Sequence, residues 1–338
     1  MKQLIRTVGL GVMTALLALT AYSAEAGNSP DKTYTLSLAT WGTSTHPQVK
    51  IFAHNFMRDV ENDSQGRIKF KFFPDNQMVK EQFVSTAVPA GTVDIALTTT
   101  EGWAGRVPDM SVTASPLWNL TMEETREQLI PGKPLFDFFS KKLQSQGAIL
   151  LALFDIGPPI FSTEFPLITP NEIVGKRIRS VSKGTAETIR ALGASPVVMS
   201  VGDVYSALKL GTVDGAIGGL QGAYGLKHYE VAKNVLATGG VLGTFIHGYV
   251  MNKRTFDSLS KDLQDILLKD ALKVRNETED NLISTYPGYL VKMQQASVKV
   301  TRLEKGGALW NQWSAKLDQL KRDEGKSYSP ELVKLLSK

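Results

Sequence analysis

The sequence of 338 residues carries a formal net charge of +5, contains no cysteine and is 42% hydrophobic. A chain of this length folds either as one large domain or as two domains of ordinary size. Its basic residues form no block, so nothing indicates a nucleic-acid-binding stripe, and the lack of cysteine excludes thiolate nucleophiles, cysteine metal sites and disulfide bonds.

The chain begins with a pattern that is typical of an export signal. Lys2 and Arg6 are followed by an apolar stretch over residues 8–21, and Ala24-Glu25-Ala26 supplies the small residues that signal peptidase requires. The apolar stretch of roughly 14 residues is shorter than the ~20 that a membrane-spanning helix needs. We therefore predict a signal peptide over residues 1–26 and export to the periplasm of a Gram-negative bacterium, which suits a chain without disulfides.

Predicted strands and helices alternate along the rest of the chain. Residues 34–40 read as a strand, and apolar residues between positions 49 and 60 share one helical face. The order β-α-β-α-β is typical of a parallel sheet, and it begins again after residue 150. The further predicted elements are strands at 68–72, 92–97, 148–154, 177–181 and 212–217, with helices at 80–88, at 185–192 and before Gly211.

A weak internal repeat predicts two equivalent lobes. Residues 85–97 resemble residues 205–217, and each copy places Gly-Thr-Val-Asp between a helix and a strand. Gly91 and Gly211 fit the left-handed conformation that ends many helices, although helix–strand loops also look alike in unrelated folds. A helix from Ser260 to about Thr285 would be ~39 Å long, enough to brace both lobes.

Enzyme motifs are absent from the sequence. There is no Gly-x-Ser-x-Gly elbow, phosphate loop, dinucleotide fingerprint or His-Glu-x-x-His pair. The histidines are His46, His54, His228 and His247, and none has metal-ligand spacing to another. We interpret them as surface or satisfied side chains, with His247 as the strongest candidate for a role.

The carboxyl ends of the strands are where an open α/β sheet binds its ligand. For the aromatic residues at these positions, packing in the core is the alternative to a role in ligand binding. Arg179, taken on its own, would be interpreted as part of a solvated strand edge. The candidates in the first lobe are Trp41, Gly42, Thr43, Thr99, Thr100, Glu101 and Trp103, and those in the second are Pro158, Pro159, Arg179, Ser180, Gly218 and Gly219.

An ordered set of motifs resembles the DctP-type substrate-binding proteins of tripartite ATP-independent periplasmic (TRAP) transporters over essentially the whole mature chain. Gly175-Lys-Arg-Ile-Arg179 resembles the family's Gly-Leu-Lys-Ile-Arg strand. It is followed by Ala191-Leu-Gly-Ala-Ser-Pro196, Asp203-Val-Tyr-Ser-Ala-Leu208 and Gly211-Thr-Val-Asp-Gly215, with a supporting match at Phe73-Pro-Asp-Asn-Gln77.

The resemblance implies an α/β Venus-flytrap architecture of two lobes, with parallel-type sheets, crossover strands and a long bracing helix. We place the lobes at residues 27–156 with 245–284, and at residues 157–244 with 285–338. The resemblance also implies that Arg179 clamps a ligand carboxylate, that the membrane subunits of a TRAP transporter are the partners, and that no cofactor is required.

Two departures from the family pattern shape the ligand prediction. A second arginine of many members is replaced near Pro159, and an asparagine is replaced by Gly218. We therefore favour a monocarboxylate with an apolar or aromatic body over dicarboxylates and sugar acids. The ligand would stack on Trp41, Trp103, Phe161, Tyr224 or Phe245, with Gly219, Thr100 and His247 beside it.

Two other functions remain open at this point. A periplasmic sensor subunit would have the same fold and the same Arg179, and only its partner would differ. A periplasmic enzyme acting on a carboxylate has no positive support from motifs, although catalytic residues are often dispersed in sequence.

Overall fold

The computed structural model describes residues 32–42 and 49–337. The predicted signal peptide, Thr43 and His46 lie outside the described residues. Within the described ranges, no helix is both long and apolar enough to cross a membrane.

The strands and helices alternate as the sequence predicts. The strands are β1 (Tyr34–Ala39), β2 (Ile68–Phe73), β3 (Ile95–Thr99), β4 (Ala148–Asp155), β5 (Ile160–Thr163), β6 (Arg177–Ser180), β7 (Ser195–Val198), β8 (Gly215–Gly218), β9 (Asn234–Ala237), β10 (Ile246–Asn252) and β11 (Lys299–Arg302). The α-helices are α1 (Asn55–Asp63), α2 (Val84–Ala90), α3 (Met122–Gln128), α4 (Pro134–Ser145), α5 (Lys183–Ala191), α6 (Val204–Lys209), α7 (Leu220–Gly225), α8 (His228–Val231), α9 (Lys253–Asp257), α10 (Lys261–Gln295), α11 (Ala308–Lys316), α12 (Asp318–Gly325) and α13 (Pro330–Leu336).

The strands form two sheets, with the order β2-β1-β3-β10-β4 in the first and β11-β9-β5-β8-β6-β7 in the second. The expectation of parallel-type sheets needs a correction, because both sheets are mixed. β10 is antiparallel to β3 and β4, and β5 is antiparallel to β8 and β9. These are the strands by which the chain enters one sheet after leaving the other, so they run against their neighbours. The predicted crossover strands are thereby confirmed.

The internal repeat has the same structural role in each sheet. Gly91 ends α2 at a φ of +80°, and Gly211 follows α6 at a φ of +64°. The aspartate of each copy then binds a neighbouring parallel strand. Asp94 accepts a hydrogen bond from the backbone N–H of Ser37 at 2.8 Å, and Asp214 accepts one from that of Arg177 at 2.7 Å.

Helix α10 is longer than predicted, and it packs on both sheets. Its first half buries Leu263 and Leu267 against the apolar side chains of the first sheet. Its second half buries Leu290 and Met293 against residues of the second sheet. The apolar stripe continues past Pro287, so packing maintains the helix where proline alone would favour a break.

The C-terminal helices divide between the two cores. Trp310 and Trp313 of α11 are buried in the core of the second sheet. Leu332 of α13, in contrast, packs into the core of the first sheet beside α4. The exact residues at which the lobes divide remain a prediction.

Candidate functional site

Arg179 is the third residue of β6 and is 4% exposed. Its neighbour Ile178 packs into the core on one face of the sheet, and alternation along the strand directs Arg179 to the opposite face. There the guanidinium donates to two backbone carbonyls. Nε and Nη2 donate to the carbonyl of Met199 at 3.1 and 3.0 Å, and Nη1 donates to that of Ile217 at 3.0 Å.

No carboxylate of the described residues forms an ion pair with Arg179. Burial, with no acidic neighbour to offset it, lowers the pKa of Arg179 to about 10. Arg177, two residues earlier, is half-exposed and pairs with Asp214 at 2.7 Å. The interpretation as a solvated strand edge therefore suits Arg177 and does not suit Arg179.

Space adjoins the Arg179 guanidinium at the end of β8. A Cβ built on Gly218 would lie 3.7 Å from Nη1 of Arg179, and one on Gly219 would meet no atom within 4 Å. Gly218, one of the two glycines predicted from the strand end, thus lies next to the predicted anchor. A larger residue at position 218 would project toward the guanidinium.

On the side of the first sheet, a cavity of about 30 Å³ lies at the carboxyl end of β3. A space of this size holds about one water molecule. The predicted residues Thr100, Glu101, Phe245 and His247 line it. Trp41 packs edge-on against His247, with ring centroids 5.3 Å apart. Five of the predicted residues are therefore brought together here.

Glu101 connects the residues at the end of β3 with those that follow β6. Its carboxylate accepts a hydrogen bond from the Ser182 hydroxyl at 2.6 Å, and Ser182 caps α5 by accepting from the Thr185 N–H. Burial raises the pKa of Glu101 above its ordinary value, and this exceeds the lowering by the Ser182 hydrogen bond. A residue that follows the first sheet is thus bound to one that follows β6.

Several predicted residues lie elsewhere. Trp103 is completely buried and its indole N–H donates to Thr98 at 3.1 Å. Phe161 is also completely buried, because strand alternation directs it to the core. Tyr224 stacks on other tyrosines, and the side chain of Pro159 is buried within the crossing segment that follows β4. We leave these residues out of the candidate site.

A buried charge cluster that the sequence did not reveal lies where the chain crosses between the sheets. Asp155 ends β4, and its Oδ1 accepts hydrogen bonds from Gly157 N–H at 2.8 Å and from the Thr244 hydroxyl at 2.6 Å. Glu279 of α10 accepts from the Asp155 N–H at 2.8 Å and pairs with Arg275 at 3.2 Å. Both crossing segments and α10 therefore meet at two carboxyl groups, one of which is paired with the Arg275 guanidinium.

The described part of the chain contains no group of histidine and acidic side chains that could hold a metal ion. The candidate site is instead a buried cation beside open space on the second sheet, together with a small polar cavity at the end of β3 on the first. This arrangement can hold an anionic small molecule by charge and hydrogen bonds.

Comparison with known proteins identifies the family of the chain. The family model of the bacterial extracellular solute-binding proteins, family 7 (DctP), matches residues 38–323. The 2,3-diketo-L-gulonate-binding periplasmic protein YiaO of Escherichia coli is 26% identical over 260 residues, which cover 76% of this chain and 78% of YiaO. The ectoine-binding periplasmic protein TeaA of Halomonas elongata is 24% identical over 258 residues, which cover 75% of this chain and 74% of TeaA.

Solved structures share the fold. DctP7 of Bordetella pertussis, an extracytoplasmic solute receptor binding pyroglutamic acid, superposes with a TM-score of 0.80 at 16% identity, over 90% of this chain and all of DctP7. TeaA, the ectoine-binding protein of the TeaABC TRAP transporter, gives a TM-score of 0.79 at 21% identity, over 90% of this chain and 98% of TeaA. The predicted two-lobed fold is thereby confirmed. The chain belongs to the DctP family of bacterial extracellular solute-binding proteins, the family of TRAP transporter substrate-binding proteins that its motifs predicted.

Proposed function

We propose that this protein captures a small organic carboxylate between its two sheets, with Arg179 as the anchor, and delivers it to the membrane subunits of a TRAP transporter. The observation that carries the proposal is a cation that is 4% exposed and has no acidic partner among the described residues. A buried charge is costly unless another charge pairs with it. A ligand carboxylate would supply that partner.

The hydrogen bonds of Arg179 support a specific geometry. A guanidinium has five N–H donors, and three contacts to carbonyls use three of them. One N–H on each terminal nitrogen is then available to a ligand. Two neighbouring donors on a planar group match the two oxygens of a carboxylate, which a lysine ammonium cannot reproduce.

A site between the sheets would capture its ligand by closure. A ligand that touches both sides binds the closed state better than the open state and shifts the population toward it. The hydrogen bond between Glu101 and Ser182 joins the two sides and would stabilise the closed state. The closed form would then dock on the membrane subunits.

We further propose a monocarboxylate with an apolar or aromatic body as the ligand. No second cation adjoins Arg179 among the described residues, and the glycine at 218 leaves space beside the guanidinium. Trp41 and Phe245 are the aromatic candidates that lie at the site, since the other candidates are buried or stacked elsewhere. A ring stacked on an indole gains about 0.5–1.5 kcal/mol beyond its buried area. YiaO, TeaA and DctP7 are named for diketogulonate, ectoine and pyroglutamic acid respectively.

The first experiment identifies the ligand and tests the anchor. Mass spectrometry of small molecules released from protein purified without refolding gives the ligand, and recovery of that molecule unchanged favours binding over catalysis. Calorimetry then compares wild type with Arg179→Ala and Arg179→Lys. Truncating one partner of a buried charge pair costs about 3–5 kcal/mol, so Arg179→Ala should weaken binding by about a hundredfold or more.

Arg177→Ala is the matched control, because Arg177 lies on the same strand and already has a partner in Asp214. This variant should bind with nearly wild-type affinity. Binding of Arg179→Ala or Arg179→Lys at wild-type strength would show that the anchor lies elsewhere. Tight binding of succinate or glucuronate, without any response to aryl carboxylates, would refute the proposed ligand class alone.

A further inference from the structure

His228 is a buried histidine that the proposed mechanism does not use. It begins α8, its side chain is 5% exposed, and its Nε2 has no hydrogen-bond partner among the described residues. Buried polar atoms in folded proteins nearly always have a partner, so a buried ring nitrogen without one needs an explanation. A water molecule or a bound solute would supply the missing hydrogen bond.

His228 lies on the same face of the second sheet as Arg179. In the sheet, Arg179 is paired with Val197 and Ala216. Both of these residues belong to the apolar cluster that contains Val231 and Ala232. Val231 is the last residue of α8, which His228 begins, and Ala232 follows it. Helix α8 therefore covers the face from which the Arg179 side chain projects.

The electrostatics agree with this placement. Burial, followed by the positive charge of Arg179, lowers the pKa of His228 to about 4. The charged neighbours of His228 on its own helix are already paired, because Glu230 contacts Lys227 at 3.7 Å and accepts from the Tyr205 hydroxyl at 3.0 Å. His228 is thus a neutral imidazole beside an unpaired guanidinium.

We propose that His228 is a second ligand-binding residue, whose neutral imidazole donates a hydrogen bond to the carboxylate that Arg179 holds. The proposal rests on the proposed function. A carboxylate accepts about four hydrogen bonds, and Arg179 has two N–H groups left to offer. His228 would supply part of the polar contact that is lost where Gly218 replaces the asparagine of other family members.

Acetate is a suitable probe because it is the carboxylate group with almost no body. Protein labelled with ¹⁵N in arginine and histidine is titrated with sodium acetate at pH 7, with sodium chloride exchanged to hold the ionic strength constant. The Arg179 Nε signal is assigned by its loss in Arg179→Lys, and the His228 ring signals by their loss in His228→Gln. His54, which is exposed, serves as the internal control.

We expect the Arg179 and His228 signals to shift together and saturate with one dissociation constant, while His54 does not respond. His228→Phe should weaken acetate binding at Arg179 by about tenfold, because a hydrogen bond to a charged group is lost. His228→Gln retains a donor at the Nε2 position and should restore most of the affinity. A purely structural role would not distinguish these variants in this way.

The other outcomes are equally informative. A saturating shift at Arg179 with no shift at His228 overturns the role of His228 and leaves the anchor in place. A shift at His228 alone, or equal acetate affinity of His228→Phe and wild type, also overturns it. No saturating shift at either residue overturns the proposed carboxylate anchor as well.

Discussion

Replacing Asp155 by asparagine should make the protein progressively more stable than wild type as the pH rises from 5 to 8. Asp155 and Glu279 are both completely buried, and Oδ2 of Asp155 and Oε2 of Glu279 have no partner among the described residues. Burial raises the pKa of Asp155 to about 7, and burial together with the negative charge of Asp155 raises that of Glu279 to about 8. Arg275 lowers both pKa values by less than burial raises them.

The direction of this pH dependence follows from whether the folded or the unfolded protein binds more protons. In the unfolded chain both carboxyls titrate near pH 4, whereas the folded pair retains at least one proton near neutral pH. Two coupled carboxyls titrate as a pair, so we count one shared proton. Because the folded pKa is raised, the stability that this proton provides is present in acid and is lost as the pH rises through the folded value. The slope is about 1.4 kcal/mol per pH unit for each proton bound only in the folded state.

An asparagine at position 155 resembles the protonated aspartate, since its side-chain oxygen can still accept from Gly157 and Thr244. Wild type and Asp155→Asn should therefore be equally stable near pH 5. Between pH 5 and 7 the difference should grow by at most about 3 kcal/mol in favour of the variant. Glu279 is then left to pair with Arg275 alone.

Differential scanning calorimetry at intervals of half a pH unit measures this difference directly. Other carboxylates of the protein titrate alike in both proteins, so their contributions cancel in the comparison. Asp265→Asn is the control, because Asp265 is an exposed carboxyl on α10 that pairs with Lys261. A difference between Asp155→Asn and wild type that stays constant from pH 5 to 8 would refute the shared proton.

Two further predictions concern closure and the crossing segments. Glu101→Ala removes the acceptor of Ser182 without removing the cap of α5, so the dissociation constant of the identified ligand should rise by up to about tenfold in calorimetry; an unchanged constant would contradict a role in closure. Gly243→Ala should lower the unfolding temperature far more than Gly306→Ala. Both glycines have positive φ, but a Cβ at 243 would lie 2.5 Å from the Thr113 carbonyl oxygen, whereas one at 306 meets nothing within 4 Å; equal effects would show that the close approach is relieved without cost.

Local patterns account for what could be predicted of the fold. Gly91 and Gly211 mark helix ends because few other residues tolerate the left-handed conformation that each adopts. The spacing of apolar residues likewise predicts the alternation of strands and helices. The sequence repeat predicted two similar lobes. In the structure, the aspartates of the two copies, Asp94 and Asp214, bind neighbouring strands in the same way.

Features that depend on tertiary packing could not be predicted in the same way. Trp41 and Trp103 both follow strands, yet one packs beside His247 at the site and the other lies in the core. Sequence position gives the end of a strand but not the direction of the chain after it. Asp155 and Glu279 are 124 residues apart, and no local pattern connects two such carboxyls. His228 was interpreted as an ordinary histidine because its proximity to Arg179 is created only by the fold.

The unpaired charge of Arg179 bears on which ligands the protein would select. If the residue is the anchor, closing the sheets around it without an anion would bury a guanidinium whose charge nothing neutralises. The effective penalty for burying an uncompensated ion is several kcal/mol, so the closed state would be scarce until a carboxylate arrives. A neutral analogue of the same shape would gain the same apolar contacts but would leave this penalty in place. Discrimination would then depend on the ligand charge more than on buried area, and a change at Arg179 would alter closure and affinity together.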